Sequence, residues 1–244
     1  GGILNKPLTG RRLHLVGVGG AGMSALATAA LELGAEVSGS DRDESPTVDR
    51  LRGAGIDVSI GHSVKNVPDG AEVVFSTAVP KDNPEIVAAT EGGLSLLHRS
   101  ELLAEMAGLH ETCVTVAGSH GKTTTTAMIA HALNQMGVDP SYFVGGDVRI
   151  EQRTGNAHIG DGGIVVVEAD ESDGSFVRYR PNIAVVTNIE FEHPETWSGF
   201  DELLAAFERH LAPAERVVIR LEQPRAEELG LSDRAVTFSV VAHS

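Results

Sequence analysis

A polar segment that directly follows an apolar stretch contains a lysine among glycines, a serine and threonines. It reads GSHGKTTTT (118–126) and leads into a stretch with helical character. A lysine that follows a glycine at a helix start typically contacts the β- and γ-phosphates of a nucleotide, and the next threonine contacts Mg²⁺. The loop is shorter than the standard one, because the residue five positions before Gly121 is Val116 rather than glycine. The segment therefore predicts a nucleotide phosphate site at Lys122 and Thr123.

Acidic side chains follow the next two strand-like stretches of the chain. The stretch 163–168 ends in a group of carboxylates: Glu168, Asp170, Glu171 and Asp173. The stretch that begins at 184 ends in a second polar group: Asn188, Glu190, Glu192 and His193. The carboxyl ends of parallel strands meet at one edge of a sheet, so we expect Glu168 near Lys122. Mg²⁺ prefers oxygen ligands, so the nitrogen of His193 is not an obvious ligand. Two alternatives stay open for His193, a metal ligand and a residue that caps a turn.

A second glycine-rich turn lies near the start of the chain, in HLVGVGGAGMSALA (14–27). Gly17, Gly19 and Gly22 have the G-x-G-x-x-G spacing that lets a backbone approach a diphosphate at a helix start. Asp41 follows at the end of the next predicted strand, where ribose-binding acids often lie. The pattern alone leaves two alternatives open, a nicotinamide or flavin dinucleotide site and a tight turn without a ligand.

The elements that must position these residues alternate between strands and helices, which predicts an α/β fold. In the first unit we predict strands at 13–16, 36–40, 56–60, 71–77 and 94–97, and helices at 23–33, 48–53, 84–91 and 100–106 with Ser100 as N-cap. In the second unit we predict strands at 112–117, 163–168, 183–188, 215–221 and 234–240, and helices at 123–136 and 201–210. The boundary falls near Gly108, which divides the chain into residues 1–108 and 109–244.

Composition limits the class of protein. The chain has 244 residues, of which 41% are apolar, and a formal net charge of −15. This length suits one or two domains, and the acidic charge disfavours nucleic acid and anionic lipid as partners. We expect no membrane insertion and no signal peptide, because the chain lacks the apolar runs that both require. Cys113 is the only cysteine, which suits a cytoplasmic protein with a packed core thiol. The sequence does not indicate an oligomeric state.

Five motifs, taken in their order and spacing, resemble the Mur ligase family over residues 12–210. They are HLVGVGGAGMSALA, VSGSD, VAGSHGKTTTT, VEADESDGSF and VVTNIEFEH. The resemblance implies a Rossmann-like UDP-sugar-binding domain, followed by a P-loop-type α/β ATPase domain with a mostly parallel sheet. It also implies ATP and Mg²⁺ as cofactors.

The resemblance assigns roles in the second unit. It implies three catalytic residues, Lys122, Glu168 and His193. Lys122 is expected to stabilise charge on the transferred phosphoryl group, and Thr123 to bind the Mg²⁺ that bridges the β- and γ-phosphates. Glu168 and His193 match the family's ligands for a second Mg²⁺. The remaining residues expected around the nucleotide are Gly118, Ser119, His120, Gly121, Thr124 and Asn188.

The resemblance implies that the first glycine turn is a UDP-sugar site and not a nicotinamide site. The residues expected to hold the diphosphate are Gly17, Gly19, Gly20 and Gly22. Those expected to contact the uridine or the sugar are Asp41, His62 and Thr77, although His62 could equally be a surface histidine of a turn. The stretch TGNAHIG (154–160) resembles a family loop near the sugar acid.

The implied reaction belongs to peptidoglycan precursor synthesis. ATP phosphorylates the lactyl carboxylate of UDP-N-acetylmuramate, and L-alanine attacks the acyl phosphate to give an amide, ADP and phosphate. One alternative is a ligase that recycles a murein tripeptide onto the same UDP-sugar. Another is a non-catalytic relative that only binds UDP-sugar or nucleotide. A nicotinamide oxidoreductase would leave the second loop and the acidic strand ends unexplained.

Two departures from the family pattern affect these expectations. The motif around His193 reads Glu192-His193-Pro194-Glu195, where the family has an Asp-His followed by a Leu-Asp pair. This difference concerns the position of the second metal. The stretch after Pro213 matches poorly, and nothing matches the family's C-terminal domain, which binds the incoming amino acid. We therefore expect residues 109–244 to form an incomplete ATP-binding domain, and the 244-residue chain to be inactive by itself.

Overall fold

The computed structural model describes residues 6–150, 153–220 and 222–239. Its first sheet has five parallel strands in the order β3-β2-β1-β4-β5. These strands are β1 (Arg12–Val16), β2 (Glu36–Asp41), β3 (Asp57–Ile60), β4 (Glu72–Phe75) and β5 (Leu96–His98). The central strand β1 is buried along most of its length, because helices cover both faces of a parallel sheet.

Four helices pack on this sheet: α1 (Ala21–Glu32), α2 (Pro46–Gly53), α3 (Pro84–Glu91) and α4 (Arg99–Ala107). Local chemistry explains where they begin. Ser45 and Asn83 each accept a backbone N–H of the helix that follows, and a proline occupies its first turn. The prediction of Ser100 as N-cap of α4 is wrong. His98 takes that position and accepts from the Ser100 N–H, while Glu101 accepts the His98 N–H at 2.7 Å.

The second sheet has seven strands in the order β12-β11-β10-β6-β9-β7-β8. They are β6 (Thr112–Ala117), β7 (Ser141–Ile150), β8 (Arg153–His158), β9 (Ile164–Glu168), β10 (Ile183–Val186), β11 (Arg216–Arg220) and β12 (Ala235–Phe238). All neighbours pair in parallel except β7 and β8. The helices of this unit are α5 (Lys122–Gln135) and α6 (Phe200–Leu211). The predicted α/β class with mostly parallel sheets is confirmed.

The antiparallel pair of β7 and β8 was not predicted from the sequence. The interpretation of 154–160 as a loop is wrong, because β8 extends as far as His158. The register of the pair shifts between Phe143 and Val148, and this irregular segment contains two glycines. Such an irregularity breaks the apolar alternation by which a strand is recognised in a sequence. The predicted ends at Leu221 and Val240 lie outside the described residues.

The two sheets contact each other mainly through α1, which packs against β7 and β8. The side-chain amide of Asn156 donates to the carbonyl of Ala21 at 2.7 Å. Arg178, which follows β9, donates to the Ser100 hydroxyl at 3.2 Å. The domain boundary at Gly108 stays a prediction. Within the described residues, no helix is long and apolar enough to cross a membrane.

Candidate nucleotide site

The loop 118–121 connects the buried strand β6 to α5, and its conformation requires glycine at the first position. Gly118 has φ +133°, and a Cβ there would lie 2.2 Å from the Thr187 hydroxyl oxygen. Asn188 accepts the His120 N–H at 2.9 Å through its side-chain oxygen, and the Thr187 hydroxyl donates to the His120 carbonyl at 2.6 Å. The end of β10 therefore holds the loop. Asn188 and His120, both predicted to lie near the nucleotide, bond to each other.

The start of α5 is open to an anion. Gly121 precedes the helix with φ +82° and provides no side-chain cap, so the first-turn amides have no side-chain acceptor from this position. A Cβ on Gly121 would meet nothing within 4 Å. Thr124, also predicted in the loop, is exposed in the first turn. An uncapped helix start beside open space binds phosphate well, because its amides and the helix dipole both favour negative charge.

Lys122 is held in a network of hydrogen bonds and ion pairs. Its ammonium group donates to the Gly118 carbonyl at 2.7 Å and to both carboxylate oxygens of Glu171, at 3.0 and 3.2 Å. Asp170 adds a longer ion pair at 3.7 Å. Glu171 is only 3% exposed, and burial raises its pKa above the ordinary value of 4.5, although Lys122 acts against this rise. Glu171 belongs to the acidic group predicted from the sequence, but it was not predicted to be the partner of Lys122.

Thr123 and Glu168 come together as predicted. The threonine hydroxyl donates to the Glu168 carboxylate at 2.9 Å, and the Gly145 N–H donates to its other oxygen at 2.6 Å. A Cβ on Gly145 would lie 2.7 Å from Glu168, so β7 approaches this carboxylate closely. A hydroxyl and a carboxylate are the oxygen donors that Mg²⁺ prefers, and this pair fits a magnesium ion. No sequence pattern indicated Gly145, because it lies in the strand that was missed.

His193 lies in a separate local arrangement. It has φ +59°, and its Nδ1 lies 3.1 Å from a carboxylate oxygen of Glu195. Its carbonyl accepts the N–H groups of Thr196 and Trp197, which closes a turn. Across the described part of the chain, no three His, Cys, Asp or Glu side chains are grouped to hold a metal ion. The role of His193 as a metal ligand stays a prediction.

The remaining residues of the loop form a small acidic and polar rim. The Ser119 hydroxyl donates to the Glu190 carbonyl at 3.1 Å and accepts the Glu190 N–H at 2.9 Å. The Nε2 of His120 lies 3.4 Å from Glu192. These contacts link the loop to the segment that follows β10. Ser119 and His120 therefore fasten the loop to the segment 190–192.

A cavity of about 720 Å³ lies at the first glycine turn. It is lined by six of the seven residues predicted to contact the UDP-sugar, namely Gly17, Gly20, Gly22, Asp41, His62 and Thr77. The seventh, Gly19, donates its N–H to an Asp41 carboxylate oxygen at 2.7 Å. Asp41 therefore fastens the turn as well as lining the cavity. The N–H groups of Gly17, Gly19 and Gly20 already donate within the protein, so the amides at the start of α1 are the ones that fit a diphosphate.

Arg99 connects this cavity with a second one of about 270 Å³ between the two sheets. The second cavity is also lined by Glu168 and Asp170. The guanidinium of Arg99 lies beside Gly22, where a Cβ would be 2.8 Å away, and 3.9 Å from the Asp173 carboxylate. Sequence reasoning missed Arg99, since a single arginine at a helix start has no distinctive pattern.

Two consecutive α/β units, each with a glycine turn at the carboxyl end of a strand, define a protein of the nucleotide-binding class. Residues 12–111 match the family description "Mur ligase family, catalytic domain", and residues 116–243 match "Mur ligase middle domain". The chain belongs to the Mur ligase family.

Individual relatives sharpen this comparison. The chain is 44% identical over 239 residues to the UDP-N-acetylmuramate–L-alanine ligase of Bifidobacterium adolescentis, covering 93% of the chain and 46% of that ligase. The crystal structure of the UDP-N-acetylmuramate-alanine ligase from Thermotoga maritima matches with a TM-score of 0.84 at 35% identity, covering 95% of this chain and 53% of that one. The UDP-N-acetylmuramate:L-alanyl-gamma-D-glutamyl-meso-diaminopimelate ligase from Neisseria meningitides gives 0.82 at 27%, covering 94% and 77%. The chain spans about half the length of the alanine ligases that it resembles.

Proposed function

We propose that this chain provides the UDP-sugar and ATP sites of a ligase that joins UDP-N-acetylmuramate to L-alanine in the cytoplasm, for peptidoglycan synthesis. The observation that carries the proposal is the grouping of Lys122, Thr123 and Glu168 at the uncapped start of α5. The likeness to alanine ligases supports the choice of substrates. ATP with Mg²⁺ supplies the phosphoryl group that activates the lactyl carboxylate and offsets the repulsion between the two anions.

The residues of the second unit have distinct tasks in this proposal. The amides at the start of α5 bind the phosphates, and Lys122 leaves Glu171 to stabilise the negative charge of the transferred group. Thr123 supplies an oxygen ligand for the Mg²⁺ that bridges the β- and γ-phosphates, and Glu168 supplies one for the second Mg²⁺. Glu171 holds the ammonium group of Lys122 beside the loop.

The residues of the first unit bind the acceptor substrate. The glycine turn takes the diphosphate, and the cavity beside it takes the uridine and the sugar. Arg99 lies between this cavity and Glu168, so it is placed to bind the acidic part of the sugar and to direct it towards the phosphate loop.

The first experiment is calorimetric titration of the 244-residue chain with UDP-N-acetylmuramate, with NADH as the control ligand. The proposal expects binding of the UDP-sugar and no binding of NADH. Binding of NADH alone would reopen the oxidoreductase alternative for the first turn. Binding of neither ligand would contradict a UDP-sugar site formed by this chain alone.

The second experiment uses the full-length protein and tests its catalytic residues. Lys122→Ala should abolish phosphoryl transfer, and Glu168→Gln should raise the Mg²⁺ concentration needed for half-maximal turnover. Unchanged turnover in the first variant would remove Lys122 from the phosphate site and favour a non-catalytic relative. An identical Mg²⁺ titration in the second would remove Glu168 from the metal site.

The similarity to the Neisseria ligase keeps the tripeptide-recycling activity as a second candidate. Both candidates use the same UDP-sugar, so binding to this chain does not separate them. Turnover of the full-length protein with L-alanine and with the murein tripeptide as competing acceptors does so. We expect L-alanine to be the preferred acceptor.

A further inference from the structure

Glu85, in the first turn of α3, is a fully buried carboxylate whose acceptor positions are all occupied. One oxygen accepts the Ser63 N–H at 3.1 Å and the side-chain amide of Asn66 at 2.7 Å. The other lies 3.3 Å from Nε2 of His14 and accepts the Ser40 hydroxyl at 2.5 Å. Ser63 and Asn66 can only donate to Glu85, and the Ser40 hydroxyl also donates to it, an arrangement that favours the ionised carboxylate.

Electrostatics agrees with this geometry. Burial acts to raise the pKa of Glu85, but the hydrogen bonds from its partners outweigh burial and lower the pKa to about 2. Glu85 therefore acts only as an acceptor at neutral pH. Each group that contacts it must supply a hydrogen.

This requirement fixes the direction of the next hydrogen bond. Ser40 has a single hydroxyl hydrogen, which goes to Glu85. The Ser40 oxygen also lies 3.0 Å from Nδ1 of His62, and it can take part in that bond only as an acceptor. Nδ1 of His62 must therefore carry a hydrogen. In the neutral ring, the hydrogen is then absent from Nε2, which becomes an acceptor.

His62 presents this acceptor to the first cavity. Its ring lines the cavity together with Asp41 and Thr77, and its side chain is 24% exposed. Nδ1 is engaged on the buried side, and no hydrogen bond to Nε2 is formed among residues 6–150, 153–220 and 222–239. Nε2 is thus the ring nitrogen left for a ligand.

We propose that Ser40 and Glu85 hold His62 in the Nδ1–H form, so that Nε2 accepts a hydrogen bond from the ligand. The inference rests on the proposed function for the identity of that ligand. In a uridine diphosphate sugar, the matching donors are the imide N–H of uracil and the ribose hydroxyls. His62 then selects for a donor on the nucleoside, and Ser40 and Glu85 are positioning residues that touch no ligand.

Nuclear magnetic resonance of the chain labelled with ¹⁵N-histidine reads the ring hydrogen directly, without a ligand. His62→Gln assigns the signal. At a pH where the ring is neutral, we expect a protonated Nδ1 and a bare Nε2 in the unaltered chain. Ser40→Ala should weaken this preference, because the bond to Nδ1 is lost while a Glu85 oxygen stays 3.7 Å from that nitrogen. Ser38→Ala is the matched control, because Ser38 lies on the same strand and bonds to His14 at 2.9 Å. A hydrogen on Nε2 in the unaltered chain would overturn the proposal.

Calorimetry with UDP and three analogues tests the ligand. N3-methyl-UDP lacks the imide N–H, and 2′-deoxy-UDP and 3′-deoxy-UDP each lack one ribose hydroxyl. One of the three analogues should bind about tenfold more weakly than UDP, and the group that it lacks is then the donor. His62→Phe should lower the affinity for UDP by the same factor. In His62→Phe, the difference between UDP and that analogue should disappear.

The outcomes separate this inference from the proposed function. Equal binding of UDP and all three analogues, or unchanged UDP binding by His62→Phe, would overturn the acceptor role while the UDP site stands. Failure of the unaltered chain to bind UDP would contradict the proposed nucleotide site, and with it the ligand half of the inference. The ring hydrogen is measured independently in either case.

Discussion

Removal of the Lys122 ammonium should destabilise the fold in a way that depends on pH. Lys122→Met keeps most of the side-chain volume but leaves the buried Glu171 without its cation. An unpaired buried carboxylate responds by taking up a proton. The folded-state pKa of Glu171 then rises further above 4.5, so the folded state binds more protons than the unfolded state, and stability falls as pH rises above 4.5.

The pKa of a free carboxyl limits the size of the effect. A carboxyl of ordinary pKa 4.5 must take up its proton at a cost of about 1.4 kcal/mol for each pH unit above that value. The charge-related loss caused by Lys122→Met therefore has a ceiling of about 4 kcal/mol at about pH 7.5, and of about 1.4 kcal/mol at about pH 5.5. Both figures are differences from the unaltered chain at the same pH.

Urea unfolding of four chains measures this effect: unaltered, Lys122→Met, Glu171→Gln and the double variant. The free energy of unfolding of Lys122→Met should approach that of the unaltered chain as pH falls to about 5. The double variant should recover most of the loss at about pH 7.5, because no buried charge remains. A loss that is the same at both pH values, or a double variant no more stable than Lys122→Met, would refute the ion pair as the cause.

Two further predictions concern the loop and the core. Gly118→Ala should lower the free energy of unfolding by several kcal/mol more than Gly121→Ala, because both have positive φ but only the first Cβ meets other atoms; equal losses in urea unfolding would contradict the close packing. His210 is fully buried, and burial lowers its pKa from 6.5 to about 4. As pH drops, the unfolded state therefore takes up a proton on His210 before the folded state does. The free energy of unfolding should fall by about 3 kcal/mol as pH drops through that range. His210→Gln should flatten this pH dependence, whereas the same change at the exposed His131 should not; parallel pH profiles for the unaltered chain and His210→Gln would rule out His210 as its source.

The sequence predicted those parts of the site that depend on local pattern. A glycine turn between a strand and a helix has a recognisable spacing, and parallel strands place their carboxyl ends together. For this reason the residue pattern placed Lys122, Thr123 and Glu168 at one edge of the second sheet, while their roles there stay predictions. The two mostly parallel sheets followed from the alternation of apolar stretches with helical ones.

The parts that depend on distant pairing were not predicted. Glu171 bonds to Lys122 across 49 positions of sequence, and no short pattern encodes that choice among four acids. Asp41 was expected to contact a ribose, yet one of its oxygens accepts the Gly19 N–H. The strand β7 was missed because its irregular middle removes the alternation. Each of these features is decided by packing between elements.

Through the contact between Asn156 and Ala21, helix α1 of the first unit is also bonded to the second unit. The carbonyl that accepts the Asn156 amide belongs to the first residue of α1, directly after the turn that is proposed to hold a diphosphate. A ligand that shifts the start of this helix must therefore also disturb its hydrogen bond to β8. Thermodynamic coupling between two sites is reciprocal. If a nucleotide that alters the second sheet changes the affinity of the first cavity for its ligand, that ligand changes the affinity for the nucleotide by the same factor.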